Sequence, residues 1–190
     1  YGRTKISTDE SLVDYAGAII EFSKAIELKT DYIEALYFRG ISKYELKEYT
    51  SAIEDFAKVL ELENNYQNTY FYIAECKYGL RDYIGAITIY TKLINEEYTA
   101  AGTFTSSIYV NRALAKGALE DYRGAILDLT KAIEINPKYA YAFMVRGDCK
   151  FNLKDYKSAI VDYNFAINID PNYISRNTAL LMHRGLAKIN

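Results

Sequence analysis

An all-α solenoid of stacked antiparallel helix-turn-helix hairpins is the fold class that three observations predict. The first is a repeat. DYRGAILDLTKAIEINP, from Asp121 to Pro137, returns in outline as DYAGAIIEFSKAIEL from Asp14, EYTSAIEDFAKVLEL from Glu48, DYIGAITIYTKLINE from Asp82 and DYKSAIVDYNFAINIDP from Asp155. A pattern that recurs every ~20 to 50 residues marks one supersecondary unit copied along the chain. The second is the spacing inside each copy: Tyr15, Ala18, Ile19, Phe22, Ala25 and Ile26 fall on one face of a helix. The third is a small residue (Gly40, Ala74, Ala113, Gly147, Gly185) at the middle of the segment between copies, where a neighbouring helix can approach closely.

In chain order, residues 1–11 are polar and without clear period, and are expected to be a lead-in or a degenerate helix. Hairpins are then expected at about 12–30, 31–65, 66–104, 105–138 and 139–173, with a C-terminal helix at about 175–190, in one domain spanning 1–190. An acid precedes the first Tyr of every second helix (Asp14, Glu48, Asp82, Asp121, Asp155), where it suits the positive end of the helix and can cap it. The first helices are expected within Tyr32 to Leu46, Tyr66 to Leu80, Ser106 to Leu119, Tyr139 to Leu153 and Thr178 to Ile189.

Measured between Ala18, Ala52, Ala86, Ala125 and Ala159, the repeat steps are 34, 34, 39 and 34 residues. Together with the Ala column, the aromatic or Leu four residues after it and the prolines Pro137 and Pro171, this period resembles the tetratricopeptide repeat. The resemblance covers Asp14 to Asn190. It implies a right-handed superhelix whose concave groove is lined by first helices, and a binding function without catalysis. The chain departs from the family pattern where Leu36, Tyr70, Tyr109, Phe143 and Leu181 replace its Trp, and where Lys replaces the Tyr that follows the small residue. Extra residues recur around Glu96 to Thr105 and Asn172 to Asn177, about one helical turn each. They are expected either to extend the second helix of the preceding hairpin or to bulge as a surface loop.

Composition narrows the function. With 23 Lys plus Arg against 25 Asp plus Glu, the net charge is −2, and the chain lacks the basic excess that holds nucleic acid. No apolar run approaches the ~18 to 20 residues of a membrane span. The expectation is a soluble chain, with a cytoplasmic location favoured over a periplasmic or secreted one. There is one histidine, His183, with no nucleophile or acid beside it in sequence, no clustered metal ligands and no phosphate-binding glycine motif. Catalytic residues, metal ligands and cofactors are therefore expected to be none. Cys76 and Cys149 share a column two repeats apart, beyond disulfide reach, and read as buried thiols.

Two cationic columns compete for a functional reading. Arg39, Arg112 and Arg146 face Asp55, Asp128 and Asp162 across the turn, and the remaining complete hairpin holds Ile73 and Ile89 instead. Partners that change together describe an ion pair inside the hairpin, because losing one would strand a half-buried charge. Lys77 persists where that aspartate is missing, so the column Lys43, Lys77, Lys116, Lys150 and Lys188 is expected to be solvated.

Subtracting the faces assigned to packing leaves a groove made of Tyr37, Phe38, Ile41 and Tyr44; Phe71, Tyr72, Glu75 and Tyr78; Val110, Asn111 and Leu114; and Tyr141, Met144, Val145, Asp148 and Phe151. About half of these are expected to pack between adjacent hairpins. Aromatic and apolar side chains exposed in a row supply much of an interface's energy. With Glu34, Glu75 and Asp148 as its charges, the groove suits a protein or peptide partner that is apolar with some basic character. Family members that clamp a C-terminal carboxylate use Lys, Asn and Arg at places held here by Tyr37 and Ile41, Phe71 and Glu75, and Val110 and Leu114. Asn111 alone matches, so carboxylate clamping is rejected. The alternative reading is a self-assembly module, a homo-oligomer or a fragment of a longer repeat array.

Overall fold

In the computed structural model the residues described are 14–66, 68–95, 103–171 and 178–189. They form α1 (Tyr15–Leu28), α2 (Ile33–Glu45), α3 (Tyr49–Leu62), α4 (Thr69–Gly79), α5 (Tyr83–Asn95), α6 (Thr103–Ala118), α7 (Tyr122–Ile135), α8 (Ala140–Asn152), α9 (Tyr156–Ile169) and α10 (Thr178–Ile189), with no strand among them. The fold is the predicted all-α array of helical hairpins. Residues 12–30 contribute the single helix α1 within the described part of the chain. The molecule divides into two compact units, Tyr1–Tyr72 and Ile73–Asn190.

Turns between first and second helices are built alike. Lys47, Arg81, Glu120 and Lys154 take the left-handed conformation, with φ of 62° to 64°. The next residue's N–H then bonds a carbonyl five residues back, as in Glu48 to Lys43 at 2.8 Å and Asp155 to Lys150 at 2.9 Å, which satisfies a carbonyl the helix leaves open. The acid that follows caps the second helix: Asp14, Asp82, Asp121 and Asp155 accept from the N–H of Gly17, Gly85, Gly124 and Ser158. Glu48, with its longer side chain, makes no such cap. Glu48→Asp should therefore raise stability by about 0.5 to 1 kcal/mol, read as a higher denaturation midpoint.

In unit 1 the core is aromatic. Phe56 is fully buried and stacks on Tyr72 at 5.6 Å, with Tyr37 edge-on to both at 6.0 Å. A Cβ built on Gly40 would lie 2.7 Å from the Phe56 ring, so only glycine admits the ring this close. In unit 2 the Phe56 column is filled by Leu129 and Tyr163 and the Ala52 column by Ala125 and Ala159, all without exposed surface. Gly147 stands 2.5 Å from the Tyr163 ring by the same construction, whereas Gly117 meets nothing within 4 Å. Gly117→Ala should consequently stabilise the protein by about 0.5 to 1 kcal/mol, through helix propensity alone.

Tyr49, Tyr83 and Tyr156 at the starts of second helices pack across the turn on Tyr44, Tyr78 and Phe151 at 6.0, 5.4 and 5.4 Å. At these three positions the column packs the second helix onto its own first helix. The stretches 96–102 and 172–177, which carry most of the extra residues, lie outside the described residues. Beyond the first of these stretches, α6 begins ten residues ahead of Ala113, against seven ahead of Gly40 in α2.

Both cysteines are free and buried. Burial pushes each thiol up to about 12, with the carboxylates of Glu75 and Asp148 adding to the rise. Because the thiolate is the reactive species, labelling of Cys76 and Cys149 near pH 8 should run at least ~100-fold slower in buffer than in denaturant.

Candidate partner-binding surface

The three expected ion pairs form, and each is larger than the sequence suggested. Arg39 donates Nε and Nη2 to the two carboxylate oxygens of Asp55 at 2.9 and 2.6 Å; Arg112 does the same to Asp128, and Arg146 to Asp162 at 2.9 and 2.8 Å. Lys43, Lys116 and Lys150 then reach the same aspartates at 2.8 Å. This corrects the expectation of a solvated lysine column: each aspartate holds two cations. In the hairpin with Ile73 and Ile89, Lys77 turns to the capping Asp82 at 2.7 Å, which accounts for its persistence. That contact and the Gly85 N–H hold the Asp82 carboxyl below its usual range, so the stabilisation it gives is present at neutral pH and disappears on acidification through that lowered range.

Each arginine also donates Nη1 to a hydroxyl on the preceding second helix, Ser23, Thr91 or Thr130, at 3.1 Å. Arg112 and Arg146 lie over the rings of Tyr109 and Phe143. With carboxylate, hydroxyl and ring partners in place, these arginines are fasteners within and between hairpins rather than anion-binding groups.

The sixteen groove residues divide by burial. Tyr37, Val110, Met144 and Val145 are buried and serve packing, where Tyr37 has its phenol pushed up to about 12 by burial and by Tyr72. Phe38 is exposed. Ile41, Tyr44, Phe71 and Tyr72 in unit 1 are half-buried, as are Glu75, Tyr78, Asn111, Leu114, Tyr141, Asp148 and Phe151 in unit 2.

Within unit 2 the two acids are fixed in place. Glu75 accepts from the hydroxyl of Tyr90 and from Asn111 Nδ2, the latter at 2.6 Å. Asp148 accepts from the hydroxyl of Tyr163 at 2.9 Å and pairs with His183 Nδ1 at 2.9 Å, while the His183 ring stacks on Phe151 at 5.1 Å and 11°. Burial, then the Asp148 charge, push the Tyr163 phenol far up, so it remains a donor. The two clusters occupy the same columns two hairpins apart. They were missed in the sequence, although Tyr90 and Tyr163 carry hydroxyls in a core column that elsewhere holds Phe56 and Leu129. Each carboxylate is held in position by its partners, and Asp148 takes both of its contacts on Oδ1. Among the described residues no group of His, Cys, Asp and Glu is arranged to hold a metal.

A tetratricopeptide repeat family model matches residues 33–66, 106–139 and 140–173, together more than half of the chain. This chain belongs to the tetratricopeptide repeat family. Members of that family are scaffolds for protein–protein interaction, and that is the class of function it brings here. Solved structures agree on the fold. MamA residues 41 to the end from Desulfovibrio magneticus RS-1 superposes with a TM-score of 0.74 at 19% identity, covering 83% of this chain and 86% of that one. TTC0263 from Thermus thermophilus gives 0.66 at 16% identity over 93% and 91%. YrrB, described as a repeat protein with an unusual peptide-binding site, gives 0.65 at 18% identity over 87% and 81%. No curated protein matches the sequence. Among the described residues no helix is long and apolar enough to cross a membrane.

Proposed function

We propose that this tetratricopeptide repeat chain binds a peptide or helical segment of a partner protein along its first helices, and that the segment is apolar with Lys or Arg among its contacts. The observation that carries this reading is the state of the charges in unit 2. Lys77, Arg112, Lys116, Arg146 and Lys150 are engaged by Asp82, Asp128 and Asp162, while Glu75 and Asp148 are half-exposed, as are Leu114, Tyr78 and Phe151. Leu114 and Phe151 offer apolar contact, and the two carboxylates offer fixed acceptors to a cation. The peptide-binding site described for YrrB supports the mode, and its 18% identity says nothing of the ligand.

The test uses peptides selected from a random display library on the intact chain, with affinities measured by calorimetry. Leu114→Glu and Glu75→Gln, each with unchanged helicity, should weaken binding roughly tenfold or more, as loss of a central contact does. Equal affinity for both variants and the parent would remove the first-helix row as the site.

A further inference from the structure

The two acids of unit 2 sit in triads of one design. Glu75 and Asp148 each follow the small residue of a first helix, Ala74 or Gly147. Each accepts from a tyrosine 15 residues on, Tyr90 or Tyr163. Each also meets a nitrogen on the next first helix, two residues ahead of Ala113 or Gly185: Asn111 Nδ2 at 2.6 Å for Glu75, His183 Nδ1 at 2.9 Å for Asp148. In the hairpins without the acid the three positions change together, to Ile41, Phe56 and Tyr72 and to Leu114, Leu129 and Val145. Positions that change as a set describe one polar unit, since a half-satisfied network costs more than an apolar one.

The two triads differ in one property. The amide of Asn111 is neutral throughout, whereas imidazole is the side chain whose charge changes between about pH 5 and 8. His183 is the one histidine of the chain. A carboxylate can only accept, so Nδ1 of neutral His183 holds the proton it donates to Asp148 Oδ1, and the second proton goes to Nε2. The side chains of His183 and Asp148 are 31% and 33% exposed, so a proton reaches the first and a partner's cation the second.

On α8 the group facing His183 is Asp148, and from α9 Tyr163 is bonded to the same carboxylate. Arg146 and Lys150 of α8 turn instead to Asp162 of α9, and Tyr156 of α9 packs on Phe151. Arg184 of α10 donates to Asn164, while Lys157 and Lys188 line a cavity at the turn into α9 with Asp155.

From this contrast we infer that the Asp148 end of the first-helix site is switched by pH and the Glu75 end is not; the inference rests on the reading of that site as one for a segment carrying Lys or Arg. Above the histidine range the Asp148 triad carries the charge of its carboxylate and attracts the partner's cation. Below that range the imidazolium neutralises the charge from inside the triad and repels the incoming cation. Binding therefore weakens on acidification, and a partner that binds within the range expels a proton from His183.

Calorimetry on the full chain at about pH 7.5 and about pH 5.5, on either side of most of the histidine range, tests it. The probe is a display-selected peptide with blocked ends that contains Lys or Arg and no His, Asp or Glu, so that its own charge is constant. The parent should bind about threefold or more weakly at the lower pH, as loss of a half-exposed ion pair does. His183→Asn, which copies Asn111, and Asp148→Asn, each with unchanged helicity, should show one affinity at both values. Glu75→Gln should bind more weakly than the parent at both and keep the parent's fall. In the free chain the amide resonances of Asp148 and Tyr163 should move with the His183 imidazole titration. A parent affinity indifferent to pH, a fall that survives His183→Asn, or Asp148 and Tyr163 resonances indifferent to the titration would each overturn the inference. Failure of the underlying reading looks different: Glu75→Gln and Leu114→Glu would then bind as the parent does at both pH values, which removes the site and its switch together.

Discussion

Asp162→Ala is expected to destabilise unit 2 by about 3 to 5 kcal/mol, enough to remove most of the stability of a small domain. Asp162 is 1% exposed, and its two oxygens are the shared acceptors of Arg146 and Lys150, themselves mostly covered. Removing it leaves two cations facing each other in a poorly solvated place, and it is the stranded charge rather than the lost contact that sets the size of the effect. The chain already contains the remedy. Where Ile73 and Ile89 replace the pair, the hairpin is intact and its lysine uses the capping aspartate. The double variant Arg146→Ile with Asp162→Ile should accordingly recover most of the loss, with Lys150 free to turn to Asp155. Denaturant melts of the two single variants and the double decide this; a double variant as unstable as Asp162→Ala would show that the triad contributes something an apolar pair cannot replace.

Phe56→Ala should cost unit 1 about 3 to 5 kcal/mol, from lost burial and from the cavity left beneath Tyr37 and Tyr72. Gly40→Val should cost ~3 kcal/mol for the opposite reason, since its first carbon already falls 2.7 Å from that ring. Because the two residues occupy one another's space, the double variant should be more stable than the sum of the single effects by ~1 kcal/mol or more. Strict additivity in a double-mutant cycle would mean that the ring and the glycine are not in contact.

Much of this was legible because a repeat protein contains its own controls. Five copies of one pattern identified the hairpins, and the joint change at Ile73 and Ile89 identified the arginine–aspartate pairs without any other sequence. The lysine column was misread for a physical reason: Lys77 kept its place by changing partner, so its persistence looked like independence from Asp55, Asp128 and Asp162. Glu48 was expected to cap like the aspartates, but its side chain, one methylene longer, makes no hydrogen bond to the first turn. At the groove, Tyr37 and Val110 read as surface because periodicity places them on the inner face; what hides Tyr37 is a set of bulky neighbours, Tyr66 and Tyr72, whose reach periodicity does not express. The fixed acids could have been found, since an acid follows the small residue only in hairpins whose second helix carries Tyr90 or Tyr163.

The partner is proposed to meet the first helices and not the second. Second helices also expose apolar side chains, Leu127 and Val161 among them, so exposure alone does not choose. Amide chemical-shift mapping of the full chain, titrated with a display-selected peptide, reads the two faces separately. Shifts gathered at Glu75, Asn111, Leu114, Asp148 and Phe151 are the predicted result. Shifts gathered at Leu127 and Val161, with the first helices unchanged, would contradict it.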